Sequence, residues 1–425
     1  MRTGSAARHD RVLRLFERHA QTAIDANLCR IRVEDTELAG DIVTIKGKEL
    51  VNFGSCAYLG LNLDQRLKDG AKAAIDAFGA VFSSSTAYTS VPLYSQLEEK
   101  LEHIVGTTVV VPTTTTLGHL AFLPTVIGPG DAVVVDAQAH SSVHLATQTL
   151  IAQGIPVEPV PHNDVLAMEA AFGKLSSHRA VWYLADGIYS MLGDVMPFKA
   201  LKHSLDVHDN LWAYIDDAHG FGWYGKFGRG MALEAFGGHP RVVVAASLAK
   251  SFGAGGAMIA FPDDDMARRV QICSGTLTFS GPLHPAELGA AVAAADIHLS
   301  AEHLERQEVL ERQIELTSTE LSRLNLPVSR TDRTPIWFVR VGGHEESIEV
   351  GSRMMADGYF LNLASFPAVP AGHSGFRFTN TTYLSADQLV SMLEALAHHI
   401  QAVVGLDQIV IDLVEEHEST DVAAI

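Results

Sequence analysis

Between about residue 130 and residue 262 the chain alternates short apolar runs with stretches in which apolar positions recur at helical spacing. Residues 132–135, 180–184, 211–215, 242–246 and 258–261 are the apolar runs. They are rich in β-branched or aromatic residues and read as strands. Residues 143–153 and 166–175 carry the helical period between them. Runs that are apolar throughout, rather than every second residue, belong to strands buried on both faces. The pattern predicts an α/β architecture: a mostly parallel central sheet covered by helices.

The flanks differ. Residues 12–26 read as a helix with Leu13, Phe16, Ala20 and Ile24 on one face, and residues 42–51 as two short strands about the turn Lys46-Gly47-Lys48. The composition changes near Ser300. Residues 301–324 form a Glu-, Arg- and Leu-rich amphipathic pattern with Leu310, Ile314 and Leu321 on one stripe, suited to a helix bridging two domains. Strand patterns at 336–341, 360–364 and 376–379 come next, then a helix at 386–403. This predicts residues 1–55 packing with a smaller α+β domain at 301–412, a large α/β domain at 56–300, and an acidic tail at 413–425.

Composition narrows the chemistry. Of the 425 residues 47% are hydrophobic and 19% charged, enough for a large core. A formal charge of −19 opposes nucleic-acid binding, which needs a Lys/Arg excess. Three scattered cysteines, Cys29, Cys56 and Cys273, fit a reducing compartment, and the 20 histidines show no metal-ligand spacing. With no signal-peptide core and no apolar stretch of membrane-spanning length, the expectation is a cytoplasmic protein with no membrane and no metal.

The chemistry concentrates where strands end, the place where ligands bind in open α/β sheets. Asp136, Asp186, Asp216, Ser247 and Lys250 all come just after apolar runs. In Val242-Val243-Val244-Ala245-Ala246-Ser247-Leu248-Ala249-Lys250 a strand gives way to small residues around one lysine. In Tyr214-Ile215-Asp216-Asp217-Ala218-His219 another ends in two carboxylates and an imidazole. Lysine, carboxylate and histidine at successive strand ends are the groups that pyridoxal 5′-phosphate requires: a Schiff-base amine, a pyridinium partner and a neighbour for the ring oxygen. Most Asp residues after strands are helix caps or turn residues, and most lone histidines are satisfied core residues. Here Lys250, Asp216, His219 and His140 occur together, which favours a site. Asp217, next along the strand, points the other way. Pro112-Thr113-Thr114-Thr115-Thr116 before a helical stretch offers hydroxyls and amides to a phosphate, though a polar loop is the plainer alternative. Ser190 and Ser247 are further candidates.

These residues resemble the α-oxoamine synthases, a family of fold-type-I pyridoxal phosphate enzymes that includes 8-amino-7-oxononanoate synthase, 2-amino-3-ketobutyrate CoA ligase, 5-aminolevulinate synthase and serine palmitoyltransferase. The resemblance rests on Ser190-Met191-Leu192-Gly193-Asp194, Asp216-Asp217-Ala218-His219-Gly220, Gly225-Lys226-Phe227-Gly228-Arg229-Gly230 and Ser247-Leu248-Ala249-Lys250-Ser251-Phe252-Gly253. It implies a fold-type-I transferase in which Lys250 carries the cofactor, Asp216 faces the pyridine nitrogen, His219 the ring hydroxyl and His140 the ring face. Ser190, Ser247, Thr115 and Thr116 would lie toward the phosphate. Ser280, in Phe279-Ser280-Gly281-Pro282, would reach a partner's phosphate, implying a homodimer with shared active sites.

The substrate side departs from the family. Its Asn-Asp-Tyr-Leu-Gly is Cys56-Ala57-Tyr58-Leu59-Gly60 here, and its carboxylate-binding Arg aligns with Ser365. A bidentate Arg–carboxylate pair is hard to replace with neutral donors, so amine recognition is rebuilt, with Ser83, Ser84, Ser85 and Tyr88 as candidate neutral donors. The activity implied is condensation of an amino acid with an acyl thioester, on coenzyme A or a carrier protein, with loss of CO₂ to give an α-amino ketone. Lys250 would move protons and His219 polarise the carbonyl. Two alternatives stay open: an aminotransferase for substrates lacking a free α-carboxylate, and a catalytically silent binding subunit.

Overall fold

The computed structural model describes residues 2–328, 332–406 and Ile409, with side chains described from Asp10 onward. The acidic tail expected at 413–425 lies outside the described residues. The chain divides into two compact units. The small unit holds residues up to Tyr58, Met191–Asp194 and those from Val309; the large unit holds Leu59–Ser190 and Val195–Glu308.

In the small unit, β1 (Ile42–Ile45) and β2 (Lys48–Asn52) form an antiparallel hairpin. Lys46 and Gly47 at its tip both have positive φ, 50° and 72°. That is the two-residue turn whose twist matches paired strands, and the glycine makes it accessible.

The large unit is built on β3 (Val109–Val110), β4 (Ala132–Asp136), β5 (Val157–Val160), β6 (Val181–Asp186), β7 (Leu211–Asp216), β8 (Val242–Ser247) and β9 (Ala257–Ala260). Among the described residues these make one seven-stranded sheet in the order β3-β9-β8-β7-β6-β4-β5. The β8–β7, β7–β6, β6–β4 and β4–β5 pairs are parallel; β9 runs antiparallel to β8 and β3. Every residue of β4, β6, β8 and β9 is buried. The continuous apolar runs therefore do form an enclosed, mostly parallel sheet. Against it packs the helix Thr115–Val126, whose Phe122 stacks on Tyr214 of β7 with centroids 4.5 Å apart and meets Trp182 of β6 edge-on at 5.6 Å. Phe122→Ala would cost about 3–5 kcal/mol, because this close-packed aromatic layer has no room to collapse.

The helix Ala301–Arg323 begins in the large unit and ends in the small one. Beyond it come β10 (Ile336–Gly342), β11 (Tyr359–Phe360), β12 (Asn362–Ala364) and β13 (Ser374–Thr379). The single strand expected at 360–364 is two. They break at buried Leu361, β11 extending the hairpin sheet beside β2 while β12 pairs with β13. The helix Ala386–Val403 is closed at its start by a reciprocal Ser385–Gln388 capping box.

Candidate active site

Asp186 and Asp216 end neighbouring parallel strands in register, so their carboxyl groups emerge side by side. Both are buried, and two adjacent buried carboxylates resist being ionised together. Their surroundings divide the roles. Burial raises the pKa of Asp216, but His119, whose Nε2 lies 3.1 Å from Asp216 Oδ2, and then Lys250 and His140 oppose it, and the net shift is downward. Asp186 is pushed well above the carboxylate range by burial and then by Asp216. Asp216 is thus the ionised member and Asp186 the protonated one. Asp216 Oδ1 also accepts the Ala218 amide at 3.1 Å.

Asp217 turns away, as strand alternation requires. It is fully buried, accepts the Ala232 amide on Oδ2 at 2.9 Å, and is pushed up to about 7 by burial and by Asp216. It anchors the segment after β7 and takes no part in the strand-end cluster.

Lys250 stands on the turn after β8, its ammonium close enough to lower the pKa of both Asp216 and Asp186. The turn is closed by the Gly253 amide on the Lys250 carbonyl (3.1 Å) and the Ala254 amide on the Leu248 carbonyl (2.9 Å). Ser247 Oγ accepts the Ala249 amide at 3.1 Å. Gly222, at φ +94°, lies beneath; a Cβ there would stand 2.8 Å from the Phe252 nitrogen, so no larger residue fits under the lysine turn.

His140 caps the helix Ser141–Ala152, its Nδ1 accepting the Ser142 amide at 3.3 Å and bonding the Ser142 hydroxyl at 2.6 Å. An accepting Nδ1 leaves the neutral ring's proton on Nε2. The His140 amide donates to Asp186 Oδ1 at 3.0 Å, tying this cap to the carboxyl pair. Desolvation lowers the His140 pKa; Asp216 opposes the shift and Lys250 adds to it, so His140, Asp216 and Lys250 share one electrostatic neighbourhood. His219 is buried, with its carbonyl held by Trp223 Nε1 at 2.6 Å.

Thr115 and Thr116 are the first two residues of the helix Thr115–Val126. The N-cap is Thr114, whose Oγ1 accepts the Leu117 amide at 3.2 Å. The Thr115 and Thr116 amides have no acceptor within their own helix and are available to an anion. Thr113 Oγ1 donates to the Gly281 carbonyl at 2.9 Å, which ties Ser280's loop to the start of this helix within the same chain. Ser190 is partly buried, just after β6.

The proposed neutral donors are less gathered. Ser84 and Tyr88 are exposed, Tyr88 at 85%, on a loop whose bonds run to the helix Gly275–Phe279: Ser85 Oγ donates to the Thr278 carbonyl at 2.5 Å. In the small unit, Cys56 Sγ is contacted by Arg377 Nη2 at 3.6 Å. Ser365 Oγ lies 3.0 Å from His344 Nδ1, and His344 Nε2 lies 2.6 Å from Thr22 Oγ1. Arg377, His344 and His119 escaped the reading of the sequence. For His119 a signal existed: a polar residue on the buried face of a helical pattern, one turn before Phe122. Among the described residues no cluster of three or more His, Cys, Asp or Glu is placed to hold a metal ion, and no helix is long and apolar enough to cross a membrane.

Residues 48–399 match the model of the family described as aminotransferase class I and II. The chain is 31% identical to an 8-amino-7-oxononanoate synthase of Maricaulis maris, an alignment that covers 92% of this chain and 98% of that one. It is 27% identical to a serine palmitoyltransferase of Sphingobacterium spiritivorum, over 85% and 88% of the two chains. A solved serine palmitoyltransferase from S. paucimobilis has the same fold, with a TM-score of 0.84 at 23% identity over 92% of this chain and 97% of that one. The chain belongs to the aminotransferase class I and II family and, within it, to the α-oxoamine synthases.

Proposed function

We propose that this protein is a pyridoxal 5′-phosphate-dependent acyltransferase that joins an amino acid to an acyl thioester and releases an α-amino ketone. The observation that carries this reading is the placement of the Lys250 ammonium beside the buried Asp216 carboxylate at a strand end. A family of relatives with this activity over nearly the whole chain supports it.

The donor set fits the cofactor. Lys250 Nζ would bind its aldehyde, Asp216 its ring nitrogen, His219 its ring hydroxyl and His140 its face. The Thr115 and Thr116 amides, with Ser190 and Ser247, would take its phosphate. When bound, the cofactor supplies an electron-accepting ring for charge developing at the substrate Cα. The chain does the rest. Asp216 would hold a proton against the ring nitrogen, Lys250 Nζ would be the base that carries a proton at Cα, and Asp186, Asp216 and His219 are themselves buried from water. In the overall reaction the bond from Cα to the thioester carbonyl forms, the C–S bond breaks and the thiol leaves. Where the substrate's carboxylate departs as CO₂, a proton replaces it.

Substrate selection belongs to Ser84, Tyr88, Cys56 and Ser365 in this reading, with a carboxylate clamp unlike the family's. The assembly is a homodimer. Phe279, 88% exposed beside Ser280, and Tyr88 are large apolar groups that a second copy would cover. Residence in the cytoplasm accords with three free cysteines.

The test is a coupled assay on purified protein with a panel of amino acids and acyl-CoA or acyl carrier protein. Thiol release dependent on both substrates is the expected result. Keto-acid formation without thiol release would instead make the protein an aminotransferase.

A further inference from the structure

His119 is assigned no contact with the cofactor above, yet it is the best-enclosed imidazole of the cluster, at 0% exposure. Its Nε2 lies 3.1 Å from Asp216 Oδ2 and its Nδ1 2.7 Å from the Tyr214 hydroxyl. The ring stands edge-on to Tyr214, with centroids 5.6 Å apart and planes at 81°. Tyr214 is itself stacked on Phe122, which comes one turn after His119 on the same helix. Helix, tyrosine, imidazole and carboxylate therefore form a closed, packed unit in which no member can turn independently.

One proton arrangement satisfies all three polar groups. Burial, then Asp216, holds the Tyr214 hydroxyl protonated, so it donates to Nδ1. A neutral imidazole accepting at Nδ1 carries its proton on Nε2 and donates it to Asp216. Asp216, ionised, accepts. The chain Tyr214 → His119 → Asp216 ends on the only member that needs a charge.

We propose that His119 is a positioning residue that fixes the rotamer and negative charge of Asp216, and that Tyr214 fixes the tautomer of His119. Resting on the cofactor reading above, this makes the pair Tyr214–His119 the control on how strongly Asp216 holds a proton at the cofactor's ring nitrogen. Space-filling alone would ask for an apolar residue here, since a buried imidazole with two polar contacts costs desolvation that an apolar ring avoids.

The test uses the holoenzyme and three variants: His119→Phe, which keeps the bulk; His119→Gln, which keeps a donor; and Tyr214→Phe. Two readouts apart from turnover are measured: the dissociation constant of pyridoxal 5′-phosphate and the pH midpoint of the visible absorbance that depends on Lys250. The groups facing Asp216 that could also move this midpoint are Asp186, Asp217, His140 and Lys250. All four are unchanged in the variants.

His119→Phe should weaken cofactor binding about tenfold and raise the midpoint by about one pH unit, because a positive charge near Lys250 is lost with the ring-nitrogen proton. His119→Gln should restore most of both. Tyr214→Phe should move the midpoint by about half as much. A His119→Phe holoenzyme with the wild-type constant and midpoint overturns the proposal. If that variant does not fold, an unmoved midpoint in Tyr214→Phe does the same. Wild-type protein with no Lys250-dependent absorbance overturns the cofactor reading, and this proposal with it.

Discussion

The strand-end cluster of the large unit and the Ser365 cluster of the small unit both use imidazoles, but they solve different problems. In the large unit His119 is enclosed, bonded to one carboxylate and one hydroxyl, and its tautomer is dictated. In the small unit His344 is only partly buried, bridges the hydroxyls of Thr22 and Ser365, and has His19 stacked on it at 4.2 Å. Thr22 Oγ1 donates its proton to the His19 carbonyl at 3.0 Å, so it accepts from His344 Nε2, and Ser365 donates to Nδ1. A site that must keep one charge in one place is built from buried groups with a single consistent proton arrangement. In the small unit the imidazole's two hydrogen-bond partners are neutral hydroxyls, so it holds an orientation and not a charge.

The sharpest division expected from this difference lies at Lys250. Lys250→Ala should abolish the visible absorbance of the holoenzyme and lower turnover by about a thousandfold or more, as removal of a proton-carrying group does. Ser365→Ala and Cys56→Ala should leave the absorbance in place. Absorption spectra and thiol release, measured on the same preparations, check both halves. Loss of absorbance in the small-unit variants would break the separation of cofactor and substrate functions.

A second contrast lies within the large unit, among three carboxyl groups at one strand edge. Asp217, at about 7, keeps its proton in the folded state at pH values where an unfolded Asp, near 4, has lost it. The folded state then binds more protons, so this group's contribution is complete below about pH 4 and is lost as pH rises through about 7. For a wholly buried group the difference is at most ~4 kcal/mol. Glu98, also raised to about 7 by burial and by Glu102, titrates in the same window. The informative quantity is therefore wild type minus Asp217→Asn. Urea unfolding at pH 4 and pH 8 should show a smaller loss of stability in the variant, because Asn can still accept the Ala232 amide without ionising. An identical loss in both proteins would place the Asp217 proton elsewhere.

Much of the fold was legible in the sequence, and the part that was not has a common cause. The sheet could be read because burial on both faces leaves continuous apolar runs, and Lys250 and Asp216 because they stand directly after such runs. The divergence of Asp217 is a consequence of strand alternation. His119 could not be paired with Asp216, since 97 residues separate them and only the fold makes the contact. The break at Leu361 was hidden because β11 and β12 are parted by a single apolar residue, while their partners, β2 and β13, lie far apart in sequence. Residue type alone favours Ser84 no less than its neighbours, whereas Ser85 is the one buried and pinned. Local pattern identifies the residues at a strand's end; it does not identify the groups that another element brings to them.

The smallest expected effect tests the small-unit side of the comparison. Burial, then His19, lowers the pKa of His344. It is therefore the neutral imidazole that shares its hydrogen bonds between Ser365 and Thr22. His344→Gln retains a side chain able to donate and accept, but not in the ring's fixed geometry. Its cost in stability should be about 1 kcal/mol, that of one exchanged hydrogen bond. The KM for the amino acid should rise about threefold to tenfold with kcat little changed, since uniform binding and not the chemical step is affected. Steady-state kinetics at saturating acyl thioester separates the two parameters. An equal fall in kcat and kcat/KM would instead give His344 a share in the transition state and place part of the chemistry in the small unit.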